Sequence, residues 1–207
     1  MDRTRKGLML VLSSPSGAGK SSLCRKIVYQ DKNTKMSISA TTRPKRKSEK
    51  NGVDYFFLEK KDFFEKKERG YFIETARVFN FDYGTPKKFI EENLSKGIDI
   101  IFDIDWQGAQ KLSDYSKNDL VSIFILPPST NVLYQRLKKR AEDSEDIVKE
   151  RMQKAKSEIS HWIKNDYVLI NDKLESCLNQ ITTIIKAERL KRFRQKNIYG
   201  FIENLTY

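Results

Sequence analysis

Ser14-Pro15-Ser16-Gly17-Ala18-Gly19-Lys20-Ser21 follows the apolar run Leu8-Met9-Leu10-Val11-Leu12 and leads into a helix-compatible stretch from Ser22 to Tyr29. A strand, a glycine-containing loop and a helix in that order form the setting of a phosphate-binding loop. The glycines let the backbone curl so that successive N–H groups point inward at anionic oxygens. A helix starting near Lys20 adds the positive end of its dipole. Lys20 can reach β- and γ-phosphates, and the Ser21 hydroxyl can ligate magnesium. Ser14 stands where the usual pattern opens with glycine. The competing reading is a Ser/Gly-rich turn with a chance Lys-Ser.

Working outward, helical patterns at 20–30, 60–69, 86–96, 107–112, 130–140, 144–163 and 174–196 alternate with strand-like runs. Those runs lie at 8–12, 36–40, 54–58, 98–103, 121–126 and 167–170. Alternation of this kind predicts an α/β fold, a parallel sheet flanked by helices. Two segments break the rhythm. Residues 37–85 are aromatic-rich and read as an inserted α+β subdomain. Residues 127–150 open with Pro127-Pro128, are charged, lack a strong apolar stripe and read as a helical lid. The core is then 1–36, 86–126 and 151–207 of a single domain.

The chain has 207 residues and a formal net charge of +12. That charge suits anionic small molecules, nucleic acid or a merely solvated lysine surface. The Lys-Lys pairs are scattered, which disfavours nucleic acid. No apolar run approaches a membrane span, and the charged N-terminus with its short apolar run is not a secretory signal. Cys24 and Cys177 make no disulfide framework, and the single histidine, His161, gives no zinc constellation. A reducing cytoplasm is the expected compartment.

Further candidates lie along the chain. Arg43 and Arg46, in Thr41-Thr42-Arg43-Pro44-Lys45-Arg46, are placed to clamp a phosphate, Pro44 keeping the segment non-helical. Glu74 ends an apolar run, where a carboxylate can accept from the N1–H and N2–H₂ of guanine, a donor pair adenine lacks. Asp103 and Asp105 close a buried strand, the edge where α/β sheets bind ligands. One is expected to face magnesium and phosphates, the other the acceptor base, and Asp105 alternatively caps the next helix. Arg136 and Arg140, four apart on one helix face, and Arg151 beyond them can neutralise a transferring phosphoryl group.

These pieces in this order resemble guanylate kinase, a P-loop nucleoside monophosphate kinase family, from about residue 7 to 196. The resemblance rests on the motif at 14–21, Ser39-Ala40-Thr41-Thr42-Arg43, Phe72-Ile73-Glu74, Tyr83-Gly84-Thr85, Asp103-Ile104-Asp105-Trp106-Gln107-Gly108, Ile125-Leu126-Pro127-Pro128-Ser129 and Ile170-Asn171-Asp172. It implies transfer of the ATP γ-phosphate to GMP, and to dGMP, with Mg²⁺, in purine nucleotide metabolism. It implies Ser39, Glu74, Thr85 and Asp105 around guanine, and Arg43, Arg46, Tyr55 and Tyr83 on the GMP phosphate. ATP falls to Ser14 through Ser21 with Ser22, and Asn171 lies near adenine. Lys20, Arg136, Arg140 and Arg151 serve the transfer, and Ser21 with Asp103 the metal. Pro44 comes one place earlier than in the usual order, and Ala141 replaces a common glycine at the lid hinge. Related domains act as non-catalytic interaction modules and typically lack a working loop; Lys20 and Ser21 are intact here. Small-molecule substrates without nucleic acid or membrane are expected, and monomer and homo-oligomer both fit.

Overall fold

A computed structural model describes residues 5–78, 80–104, 106–140 and 145–206; the side chains of Val78, Arg140, Asp146 and Ile147 are outside it. The centre is a five-stranded sheet: β1 (Met9–Ser13), β2 (Thr34–Met36), β7 (Asp99–Asp103), β8 (Leu120–Leu126) and β9 (Tyr167–Ile170). Their order is β2-β7-β1-β8-β9, and every pairing is parallel. β1 is buried at all five positions. A central parallel strand is covered on both faces, so its sequence is continuously apolar and does not alternate.

One face carries α1 (Lys20–Gln30) and α7 (Leu174–Arg189). Leu23, Cys24, Ile27, Leu178, Ile181 and Ile185 meet Leu10, Leu12, Ile101 and Ile123 there. On the other face α3 (Lys87–Ser95) and α4 (Trp106–Ser116) bring Ile90, Leu94 and Leu112 onto Met9, Val11, Ile100 and Phe102. The five carboxyl ends share one edge, and the loop after β1 lies there.

The expected strand at 36–40 is two strands. β2 belongs to the parallel sheet. The chain leaves it after Ser37, whose N–H still reaches Ile101 O at 2.8 Å. It re-enters as β3 (Ala40–Thr41), part of a second sheet with β4 (Phe56–Phe57), β5 (Phe72–Val78) and β6 (Phe81–Pro86), ordered β4-β3-β6-β5. This sheet and α2 (Lys60–Glu68) make up the aromatic-rich segment. Phe63 stacks on Phe72 at 4.8 Å, and a Cβ on Gly84 would stand 2.8 Å from the Phe72 ring. Glycine at 84 is what lets that ring lie across β6.

The charged segment after β8 forms two helices, α5 (Thr130–Arg140) and α6 (Glu145–Ile159), and the second runs unbroken past residue 150. Residues 127–150, expected to lack a strong apolar stripe, still share a small core with the rest of α6. Leu133, Leu137, Val148 and Ala155 form a small buried core of their own, with Tyr134 and Met152 against it. The long helix expected over 174–196 ends at Arg189. A 3-10 turn (Arg192–Arg194) follows, where Arg194 turns inward to 1% exposure, and then α8 (Ile198–Thr206). No helix among the described residues is long and apolar enough to cross a membrane.

Candidate active site

The loop Ser14–Ser21 takes its shape from two left-handed residues, Gly17 (φ 89°) and Gly19 (φ 98°), a conformation costly for any residue with a Cβ. Close packing enforces glycine a second time. A Cβ on Gly17 would sit 3.0 Å from Leu133 and from Leu137 of α5, and one on Gly19 would sit 2.5 Å from Asn171 Nδ2. The loop is thus pressed between α5 and the end of β9. Asn171 is buried and donates from Nδ2 to Ala18 O at 2.7 Å. It props the loop from beneath.

A cavity of about 600 Å³ opens over the loop. Ser14, Pro15, Ser16, Gly17, Gly19, Lys20, Ser21 and Ser22 all line it; Ala18 is buried behind it. From β7, Asp103 faces the same space and meets Lys20 Nζ at 3.0 Å. Lys20 also donates to Ile104 O at 2.8 Å. An ammonium has three donors, so with these two partners it keeps one for an anion over the loop. Arg136 hangs in from α5, its Nη2 on Asn171 O at 3.0 Å. Its Nη1 is buried and has no hydrogen-bond partner among the described residues. Behind the loop, burial and then the Asp103 charge push the Cys24 thiol up to about 12, so this cysteine stays neutral and inert.

The acceptor candidates gather on the second sheet. Register places Ala40 opposite Gly84 and Thr41 opposite Tyr83, which brings Ser39 to the level of Thr85. Thr85 is fully buried and donates its hydroxyl to Glu74 Oε1 at 2.8 Å. Glu74 and Thr85 are thus bonded to each other, with Ser39 at their level along the sheet. Arg43 lies 5.4 Å from the Tyr55 ring centre and 5.8 Å from that of Phe57, and Tyr55 meets Tyr83 edge-on at 6.0 Å. Burial first, then Tyr83, raises the Tyr55 hydroxyl above its ordinary pKa.

The paired-arginine fork takes a different form from the expected one. Arg43 is turned onto Glu49, Nη2 to Oε1 at 2.6 Å. Glu49 Oε2 accepts from the backbone amide of Arg46 at 2.8 Å, and Arg46 is exposed. A carboxylate already bridges the two residues, because a dense basic turn folds onto the nearest acid. That contact holds the Glu49 carboxyl below its usual range and raises Arg43.

Asp105, Ala141 and the side chain of Arg140 lie outside what is described. Arg151 sits half-buried on α6. Sequence reasoning missed Glu49, Glu158 and Trp106. Glu158 of α6 accepts from the Ser16 amide at 3.1 Å. Trp106 lines the cavity and stacks on His161 at 3.8 Å and 13°. Glu49 was findable as the nearest acid to the basic turn. The other two depend on which helix faces the loop.

The family model described as Guanylate kinase matches residues 6–188. A guanylate kinase from Agrobacterium fabrum is 47% identical over 201 residues, 97% of this chain and 91% of the relative. One from Zymomonas mobilis is 48% identical, with 97% and 93% covered. Among solved structures, a crystal structure of guanylate kinase from Anaplasma phagocytophilum superposes with a TM-score of 0.77 at 37% identity, covering 97% of this chain and 96% of that one. The family model, the relatives' identity over nearly the whole length and the shared fold agree: this chain belongs to the guanylate kinase family.

Proposed function

We propose that the chain transfers the γ-phosphoryl group of ATP to GMP, and to dGMP, with loop 14–21 and Ser22 holding ATP and the second sheet holding the acceptor. The observation that carries the division of labour is the Glu74–Thr85 pair. A carboxylate held by a buried hydroxyl, on the same small sheet as Arg43's neighbours Tyr55 and Tyr83, can accept both guanine donors at once. An adenine there could not supply that pair of donors, at about 1–3 kcal/mol for each lost bond. A 2′-hydroxyl plays no part in that readout, which is why dGMP also fits.

The nucleophile is a phosphate oxygen of the acceptor. Its second pKa is about 6 by analogy with other phosphate monoesters, so it is largely dianionic at neutral pH and needs no general base. The barrier is the meeting of two anions in line. Lys20 spans from β7 to the loop and neutralises charge where the two substrates meet. Arg136, with one guanidinium nitrogen still open, adds to it, and Arg140 and Arg151 complete the cationic set from the helical pair. Arg43 trades Glu49 for the acceptor phosphate, Arg46 assisting. Asn171 serves ATP from below, by fixing the loop.

Mg²⁺ suits this donor set. The Ser21 hydroxyl and the Asp103 carboxylate face one cavity, and Mg²⁺ asks for one or two protein oxygens, completing its shell with phosphates and water. When bound, it neutralises charge on the β- and γ-oxygens. Asp105 remains the candidate for the guanine edge.

A coupled ADP-release assay with GMP, dGMP, AMP, CMP and UMP tests the proposal. GMP and dGMP should turn over and the others should not. Glu74→Gln should cut GMP-over-AMP preference by about 10- to 100-fold, the size of one or two lost bonds. An unchanged preference removes Glu74 from guanine recognition.

A further inference from the structure

α6 brings an acidic group to the phosphate loop. Arg151, Ala155 and Glu158 are spaced four and three apart, so they share one helix face. Ala155 is 1% exposed and packs with Leu133 and Leu137. Those two leucines also lie 3.0 Å from the Cβ position of Gly17. Loop, α5 and α6 are therefore one packed unit. At the end of the shared face, Glu158 Oε2 takes the backbone N–H of Ser16 at 3.1 Å. Glu158 is half-buried and lines the same cavity as Lys20, Arg25 and Arg136.

The Ser16 amide belongs to the run of N–H groups that a phosphate-binding loop turns toward its anion. A carboxylate oxygen on such a donor makes the same charge-assisted bond that a phosphate oxygen makes. One N–H cannot serve both well, and a carboxylate beside a polyphosphate in one cavity meets like charge. We propose that Glu158 is a positioning residue that competes with the nucleotide for the Ser16 amide. Filling the loop exchanges carboxylate for phosphate and frees the end of α6, whose Arg151 stands two turns upstream. The loop thereby reports its occupancy to the helix that supplies cationic charge. This inference rests on the reading of residues 14–21 as the ATP site.

The test measures inorganic tripolyphosphate and ATP binding by calorimetry at fixed ionic strength for the wild type, Glu158→Ala, Glu158→Asp and Glu158→Gln. Glu158→Ala should bind both about 3- to 10-fold more tightly, the size of one exchanged hydrogen bond. Glu158→Asp keeps the charge but is one methylene too short to reach, and should tighten as well. Glu158→Gln keeps an acceptor without charge and should fall between. In turnover, KM for ATP should drop with KM for GMP unchanged. Unchanged or weaker binding in these variants overturns the proposal, and so does a wild-type value for Glu158→Asp, which would reduce the effect to long-range charge. An equal shift in both KM values overturns it too. If Glu158→Ala does not fold, Glu158→Asp and Glu158→Gln decide the question on the same terms. A wild type that binds no tripolyphosphate would instead sink the ATP-site reading beneath.

Discussion

At the amino ends of the five parallel strands, Asp99 is 1% exposed and accepts from Arg5 at 2.6 and 3.1 Å, Arg189 at 2.7 Å and the Leu8 amide at 3.0 Å. At the carboxyl ends, Asp103 and Lys20 meet at 3.0 Å with side chains 28% and 18% exposed. The first site continues into a run of further ion pairs between protein groups. Arg189 also holds Asp31 at 2.6 Å, and Lys6 holds Asp119 at 2.6 Å. The buried Arg194 donates to Asn118 O at 3.1 Å and faces Glu188 at 3.8 Å. The second site keeps donors in reserve, on Lys20, on Arg136 and along the loop. Both ends use the same residue types. Where opposite charges are buried against one another, the arrangement ties Arg5, Lys6 and α7 to the sheet. Where charges are left partly open to a cavity, they can receive a ligand's charge.

The comparison predicts separable failures. The largest is Lys20→Ala, which should lower kcat/KM by about 10³-fold, the scale of losing a donor at a developing charge, while the thermal midpoint stays near that of the wild type. Undiminished turnover would remove Lys20 from the transfer. Next comes Asp99→Ala. It leaves Arg5 without its carboxylate and Arg189 with Asp31 alone, and should cost about 3 kcal/mol of stability in urea denaturation, with kcat per folded molecule unchanged. If Asp99→Ala lost activity without losing stability, the two ends would not be divided as described.

The smallest effect is alkaline. Cys24 rises from an ordinary 9.0 to about 12 in the fold, mainly by burial. Hydrogen bonding to Glu188 first, then burial, pushes Tyr167 from 10.0 to about 12. A raised acid stays protonated in the fold after the unfolded chain has released its proton. Its stabilising share is therefore whole below the unfolded pKa and shrinks above it. The urea midpoint should fall as pH climbs from 9 toward 12, and Cys24→Ala should flatten the first part of that fall. A midpoint constant from pH 8 to 10.5 in the wild type would contradict the shift.

Much of this was legible along the chain. β9 appears where the run 167–170 predicts it, and α1 and α5 match their predicted spans of 20–30 and 130–140. Local rules suffice for such segments, because a buried parallel strand is continuously apolar and a helix repeats its apolar positions. The boundary between β2 and β3 was not legible. Residues 36–40 are extended on both sides of it, and only the choice of partner, β7 or β6, separates them. The core between α5 and α6 was missed for a related reason: each helix gives few apolar residues, and only their pairing makes a cluster.

Residue order alone is enough to specify the loop. Its glycines, Lys20 and Ser21 carry their chemistry in their order, since backbone freedom and side-chain type are local properties. Residue order also supplies the candidate acids and arginines as residue types. Their partners come from packing: Glu49 on Arg43, Asp103 on Lys20, Asn171 against Ala18 and Glu158 on the Ser16 amide. Three of these four contacts join residues 83 or more positions apart, and Glu49, six residues from Arg43, depends on how the turn closes. A side chain's partner is set by which elements pack together, and that choice is made by the whole core.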